Sequence, residues 1–325
     1  MQAKIIGTGS YVPETILTNQ DLEQRIATSS EWIVERTGVH ARRIAAKDEA
    51  TSDLAFQAGR RALQAAGVAP EEIDLIIVAT TTPDHLFPST ACLVQHKLGA
   101  TRAAAFDLAA ACSGFVYALT VGDRFIASGT FKRVLVIGAD VMSRFVDWSD
   151  RATAVLFGDG AGAVVLAPTT DASGILSTHL HADGSLHDLI AIPGGGSANP
   201  PSEKVIVEKL NTVKMKGNET FKTAVRTFEE VIWETLNHHH LSPSDIAYIV
   251  PHQANIRIIK AVAARFNMSM DRMIINLDRY GNTSAGSIPL ALDEAVREGR
   301  LVAGTLILLL AFGSGLTWGS VLMRW

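Results

Sequence analysis

The chain has 325 residues, enough for two domains or for one large duplicated unit. Hydrophobic residues make up 47% and charged residues 19%, which suits a sizeable buried core, and a net charge of −4 gives no global basic surface for nucleic acid. Two cysteines exclude a disulfide framework and fit a reducing compartment, so a cytoplasmic protein is expected.

The opening "MQAKIIGTGSYVPE" has no apolar core of the signal-peptide kind, and none is expected. No apolar run approaches the roughly 18–20 residues of a membrane span, so no membrane partner is expected either. Leu54, Ala58, Ala62 and Ala65 follow the spacing of a buried helix face. "IDLIIVAT" (73–80) reads as a strand covered on both faces, because it lacks polar alternation. Cys92, inside the helical pattern "STACLVQHKLG", reads as a small buried hydrophobe. "FDLAAACSGFVYAL" then places Cys112 where a strand pattern gives way to a helix pattern. That helix carries Phe115, Leu119, Gly122 and Ile126 on one face and ends near Gly129. A sulfur at a helix N-terminus meets free amides and a favourable dipole, and a thiolate nucleophile is expected there.

"VLVIG" (134–138) and "AGAVVLA" (161–167) are further buried strands. "FGDGAGAVVL" has the glycines of a phosphate loop, but no Lys-Ser/Thr follows and it leads into a strand, so nucleotide binding is not expected. The boundary between two units is placed near 170, giving 1–170 and 171–325. "PGGGSANPPSEKVIVEK" (193–209) reads as a long loop over the surface or the site. Phe221, Val225, Phe228, Ile232 and Leu236 form another buried helix face, and His238–His240 read as its solvated end rather than a metal site. "IAYIV" (246–250) and "TLILLLAF" (305–312) complete the buried strands.

The two units echo each other. "GVAPEEIDLIIV" matches "HLSPSDIAYIV", with Pro70 and Ile73 against Pro243 and Ile246, and helix patterns flank both. Alternating strands and helices, repeated once, predict a duplicated α/β fold with a site between facing loops. The duplication puts His252 at the strand end equivalent to Thr80, and Asn282 close to the counterpart of Cys112. Cys112, His252 and Asn282 are therefore expected to flank one axis. "FGSGLTWGS" supplies a glycine loop whose amides can complete an oxyanion hole with that of Cys112.

In this order, "ACSGF", "PHQAN", "GNTSA" and "FGSGLTWGS" resemble β-ketoacyl-acyl carrier protein synthase III of type II fatty-acid synthesis. "EWIVERTGVHARR", "TTPDHLFPSTACLVQHKLG", "DRATAVLFGDGAGAVVL" and "LDEAVREG" extend the match over essentially the whole chain. The resemblance implies a thiolase-like fold, a five-layered αβαβα duplication with two mixed sheets, and a cytosolic homodimer. It implies condensation of an acyl-CoA, usually acetyl-CoA, with malonyl-acyl carrier protein, with CoA thioester as substrate and no cofactor. Carried over by motif, Cys112 is the nucleophile, His252 and Asn282 the decarboxylation pair, and the Cys112 and Ser314 amides the oxyanion hole. Trp32, Arg36, Arg151, Gly217 and Asn255 fall on CoA contacts. Phe87 matches a residue that reaches into the partner's acyl pocket, and Met142 and Phe157 match pocket-lining positions. Lys222, Arg257 and Arg265 fall where the acidic carrier protein docks. The glycine loop departs from some relatives by carrying Ser314 between Gly313 and Gly315. The rival readings are an acyltransferase with another acceptor, a condensing enzyme of secondary metabolism, and a non-catalytic partner subunit, which would lack the nucleophile.

Overall fold

A computed structural model describes residues 2–325. The chain opens with β1 (Gln2–Tyr11). A small ribbon of β2 (Thr15–Thr18) and β3 (Ala41–Ile44) follows, with α1 (Asn19–Glu23) and α2 (Ser30–Thr37) between its strands. Then come α3 (Thr51–Ala66), β4 (Leu75–Ala79), α4 (Thr90–Leu98), β5 (Ala104–Leu108), α5 (Gly114–Ala127), β6 (Val134–Val141), α6 (Arg151–Ala154) and β7 (Asp159–Thr169). The chain continues with β8 (Gly174–Ala182), β9 (Ile190–Ala191), α7 (Glu203–Val207), β10 (Lys214–Met215), α8 (Gly217–His238), β11 (Tyr248–Pro251), α9 (Ile256–Arg265), α10 (Leu277–Tyr280), α11 (Ser287–Arg297), β12 (Leu306–Gly313) and β13 (Thr317–Arg324).

The duplication is visible in the sheets. The first runs β1-β7-β6-β4-β5, and the second runs β8-β13-β12-β11. In both, the first two pairings are antiparallel and the third is parallel. A parallel bridge from Ile249 to Met273 stands where β4 meets β5 in the first sheet. Ile77 and Val250 both face the central layer, in step with the Pro70/Pro243 echo, so the counterpart of His252 is Ala79 and not the expected Thr80, one residue along.

Burial explains the missing polar alternation. β4 and β6 are buried at every residue, and so is β12 after Leu306, because helices cover both faces of each sheet. Helices α3 and α4 pack outside the first sheet, α8 and α9 outside the second, and α5 and α11 fill the space between. The layers are therefore helix, sheet, helix, sheet, helix. α5 buries Phe115, Val116, Leu119 and Ile126 in the central layer. Its chain reverses after Ala127 through Gly129 at φ 75°, a left-handed position that suits glycine. Part of the 193–209 stretch is helix rather than loop: Ser202 caps α7 by accepting from the Val205 amide. None of the described helices is long and apolar enough to cross a membrane.

Candidate active site

Parallel strands end where the covering helices begin, and the chemistry-bearing side chains collect there. After β5, Ala110–Ser113 makes a tight turn into α5, with Ala111 at φ 47°. A non-glycine residue in that region is uncommon, and it lets the next residue, Cys112, stand at the turn's tip. The turn is pinned from β13: the Thr317 hydroxyl donates to Ala110 O at 3.1 Å, and the Ser113 hydroxyl donates to Thr317 O at 2.8 Å.

His252 follows β11 and its amide donates to Leu310 O at 2.7 Å, which continues the parallel ladder by one residue. Asn282 is clamped by the segment after α6. Its amide donates to Leu156 O at 2.8 Å, and its carbonyl accepts from the Gly158 amide at 3.1 Å. The side-chain Oδ1 accepts from the Ser284 amide at 2.8 Å, which leaves the Nδ2 donor for the cavity. Cys112, His252 and Asn282 line one cavity of about 290 Å³. Met142, Leu156, Phe157, Val213, Met215 and Phe312 give it an apolar wall. Such a cavity lowers the local dielectric around a few polar groups.

The electrostatics differ from the sequence expectation in one respect. Burial pushes the Cys112 thiol up to about 12, and the nearby Asp140 charge adds to this, while a hydrogen bond from the Ser284 hydroxyl opposes it. Burial therefore works against the ionisation that a helix N-terminus favours. Burial likewise pushes His252 down to about 3, so its ring rests neutral. His252 Nδ1 is buried with no hydrogen-bond partner, which leaves Nε2 as the nitrogen available to a ligand.

The glycine loop lies against the nucleophile. A Cβ added at Gly313 would sit 2.7 Å from the Cys112 amide nitrogen and 3.0 Å from that of Ser113. Neither the Cys112 nor the Ser314 amide donates to a backbone carbonyl among the described residues. The Ser314 hydroxyl turns away and donates to Ile190 O, so a side chain at 314 does not fill the space beside Cys112.

The remaining candidates divide. Gly217 and Asn255 line the cavity, and Asn255 Nδ2 donates to Arg36 O at 3.0 Å, tying α2 to that rim. Arg151 stacks its guanidinium 4.4 Å from the Trp32 ring centroid, but this pair is not part of the cavity wall. Met142 and Phe157 line the cavity, whereas Phe87 is 84% exposed and stands outside it. Lys222 and Arg257 are exposed, and Arg257 lies over Phe221, a wall residue. Arg265 is paired with Glu229. Cys92 is exposed, contrary to expectation, because it falls in the first turn of α4 rather than mid-helix.

The sequence profile described as 3-oxoacyl-[acyl-carrier-protein (ACP)] synthase III matches residues 106–184, and its C-terminal counterpart matches 236–325. A β-ketoacyl-[acyl-carrier-protein] synthase III of Xylella fastidiosa (strain Temecula1) is 55% identical over 323 residues, covering 99% of this chain and 98% of that one. The chain belongs to the β-ketoacyl-acyl carrier protein synthase III family. The crystal structure of the 3-oxoacyl-[acyl-carrier-protein] synthase III from Aquifex aeolicus VF5 superposes with a TM-score of 0.92 at 51% identity, covering 99% of this chain and all of that one. The enzyme from Pseudomonas aeruginosa PAO1 does so with a TM-score of 0.92 at 41% identity, covering 100% and 98%. The two-sheet duplication is thus the thiolase-like fold of these condensing enzymes.

Within this family setting, several site residues carry no chemical signature in the sequence. Ser284 reads only as a turn residue, yet its hydroxyl opposes the rise that burial causes in the Cys112 thiol. Arg42 is fully buried, donates to Leu17 O, Asn19 Oδ1 and Val155 O, and so braces the segment that clamps Asn282. Burial holds its guanidinium down to about 10. The apolar wall from β9 and β10 belongs to short strands with no periodicity to read.

Proposed function

We propose that this chain catalyses the decarboxylative condensation of an acyl-CoA with malonyl-acyl carrier protein, giving a 3-ketoacyl-acyl carrier protein and starting a fatty-acid chain. Family membership over the whole length supports the reaction class. The observation that carries the assignment of roles is the convergence of Cys112, His252 and Asn282, from different sheets, on one apolar cavity.

In the first half-reaction Cys112 Sγ attacks the acyl-CoA carbonyl. Both Cys112 and His252 rest neutral, so the thiol proton leaves as the new S–C bond forms and ends on the departing CoA sulfur. The Cys112 and Ser314 amides hold the oxyanion, a role in which one donor is typically worth about 2.7–4 kcal/mol. In the second half-reaction the malonyl C–COO⁻ bond breaks, and its electron pair moves onto the thioester oxygen. Asn282 Nδ2 and the neutral His252 ring, as its Nε2–H tautomer, donate to that enolate oxygen. A neutral imidazole suits this role, because protonating it in this enclosure is unfavourable. The enolate carbon attacks the acyl-Cys112 carbonyl, the C–S bond breaks, and the thiolate recovers a proton from water.

CoA is assigned to Trp32, Arg36 and Arg151 for adenine stacking and phosphate pairing, and to Gly217 and Asn255 where it enters the cavity. The carrier protein is assigned to the face of Lys222, Arg257 and Arg265, with Arg257 nearest the cavity wall. A homodimer is part of this reading. Leu86 and Phe87 are 85% and 84% exposed, and large apolar side chains presented this way suit insertion into a second subunit. Incubation with acetyl-CoA and malonyl-acyl carrier protein tests the assignment. The wild type should form acetoacetyl-acyl carrier protein and Cys112→Ala should not; equal product from both would refute it.

A further inference from the structure

The duplication builds a second copy of the nucleophile turn. Ala111–Ser113 and Ser284–Gly286 are each one 3-10 turn, each opens on a non-glycine residue at positive φ (47° and 51°), and each runs directly into a central-layer helix. Matching the turns on that landmark makes Ala285 the counterpart of Cys112. The Cys112 amide is left for an oxyanion, but the Ala285 amide is taken: it donates to Asp140 Oδ2 at 3.0 Å. Asp140 comes from the end of β6, and by the same spacing its counterpart in β12 is Gly313, which lies against the Cys112 amide. The twin of the oxyanion hole is thus filled by the protein's own carboxylate.

Asp140 is fully buried and belongs to no ion pair among the described residues. Its other oxygen, Oδ1, accepts from the loop after β4. The donors are the Thr81 amide at 2.8 Å, the Thr82 amide at 3.1 Å, and the hydroxyls of Thr80, Thr81 and Thr82 at 2.9–3.1 Å. From Oδ2 the chain of contacts runs to Ala285, to its neighbour Ser284, and through the Ser284 amide to Asn282 Oδ1.

We infer that Asp140 is a positioning residue for decarboxylation: its carboxylate anchors the 282–285 turn to the first sheet and so sets the direction of the Asn282 amide and the Ser284 hydroxyl. This rests on the condensation reading above. The geometry requires a carboxylate, since both oxygens face donors. An asparagine offers one acceptor and one donor, so it sets two donors against each other on one side.

The test is Asp140→Asn, assayed separately for acetyl transfer from acetyl-CoA to Cys112 and for CO₂ release from malonyl-acyl carrier protein. CO₂ release should fall about ten- to a hundredfold, and acetyl transfer by less than about threefold. Removing the Ala285 amide proton by an amide-to-ester replacement at that one bond should reproduce the split. It also decides the matter where Asp140→Asn does not fold. Alkylation of Cys112 by iodoacetamide should move to lower pH in Asp140→Asn, because a charge that opposes thiolate formation is gone. A purely structural role would lower both half-reactions together with the melting temperature, and that result overturns the inference. So does CO₂ release at the wild-type rate in the ester variant. A wild type that releases no CO₂ would instead overturn the condensation reading.

Discussion

Replacing Gly313 by alanine adds one methyl group beside the nucleophile, and the structure sets its cost. The new Cβ would lie 2.7 Å from the Cys112 amide nitrogen, 3.0 Å from the Ser113 nitrogen and 3.1 Å from Cys112 Cβ. Two of these are backbone atoms, so no flexible side chain can yield. Gly313 is not among the positive-φ glycines, so the substitution acts by contact and not by backbone strain. Restoring a normal contact of about 3.4 Å displaces the turn or the loop by about 0.7 Å. Oxyanion donors work over about 2.7–3.1 Å, a window of about 0.4 Å, so the shift takes at least one amide out of range. We predict a loss of about 10²–10³ in the acetyl-transfer step, the value of one such donor. Single-turnover acylation from acetyl-CoA, quenched and read by intact mass, measures it. Ser314→Ala is the control: it removes the hydroxyl that donates to Ile190 O and keeps the amide, so acylation should stay within about fivefold. A folded Gly313→Ala protein that acylates at the wild-type rate would refute the reasoning.

Asn282→Ala should abolish most malonyl decarboxylation while acetylation of Cys112 persists, measured by CO₂ release and intact mass; the reverse pattern would reassign the roles. His252 yields a pH prediction. Its pKa is about 3 folded against 6.5 in the unfolded chain, so the unfolded state takes up the proton first. Its contribution to stability is intact above about pH 6.5 and declines toward pH 3, by about 1.4 kcal/mol per pH unit. Urea unfolding between pH 4.5 and 7 should show that slope flattened in His252→Gln.

The fold was legible because its physical signals are strong. Buried strands without polar alternation, such as 134–138 and 161–167, coincide with β6 and β7. The Pro70/Pro243 echo corresponds to matching 3-10 turns ahead of β4 and β11. The convergence of Cys112, His252 and Asn282 followed from repeat symmetry, since equivalent strand ends must meet at one axis. What was hidden depends on distance rather than residue type. Cys92 and Cys112 look alike as letters, yet one faces solvent and the other a cavity. The burial that raises the Cys112 thiol is not legible locally, because the cavity wall of Met142, Leu156 and Phe312 comes from positions remote in sequence. Asp140 carries no sequence signal, because a single aspartate at a strand end gives no sign that six donors will surround it.

The most direct measurement is peptide mapping by mass spectrometry after brief exposure to acetyl-CoA, followed by addition of malonyl-acyl carrier protein. Our account predicts one acetyl group on the Cys112 peptide, none on the exposed Cys92, and loss of that group as acetoacetyl-acyl carrier protein appears. Acetylation at Cys92 alone, or a Cys112 adduct that survives while product accumulates, would contradict it.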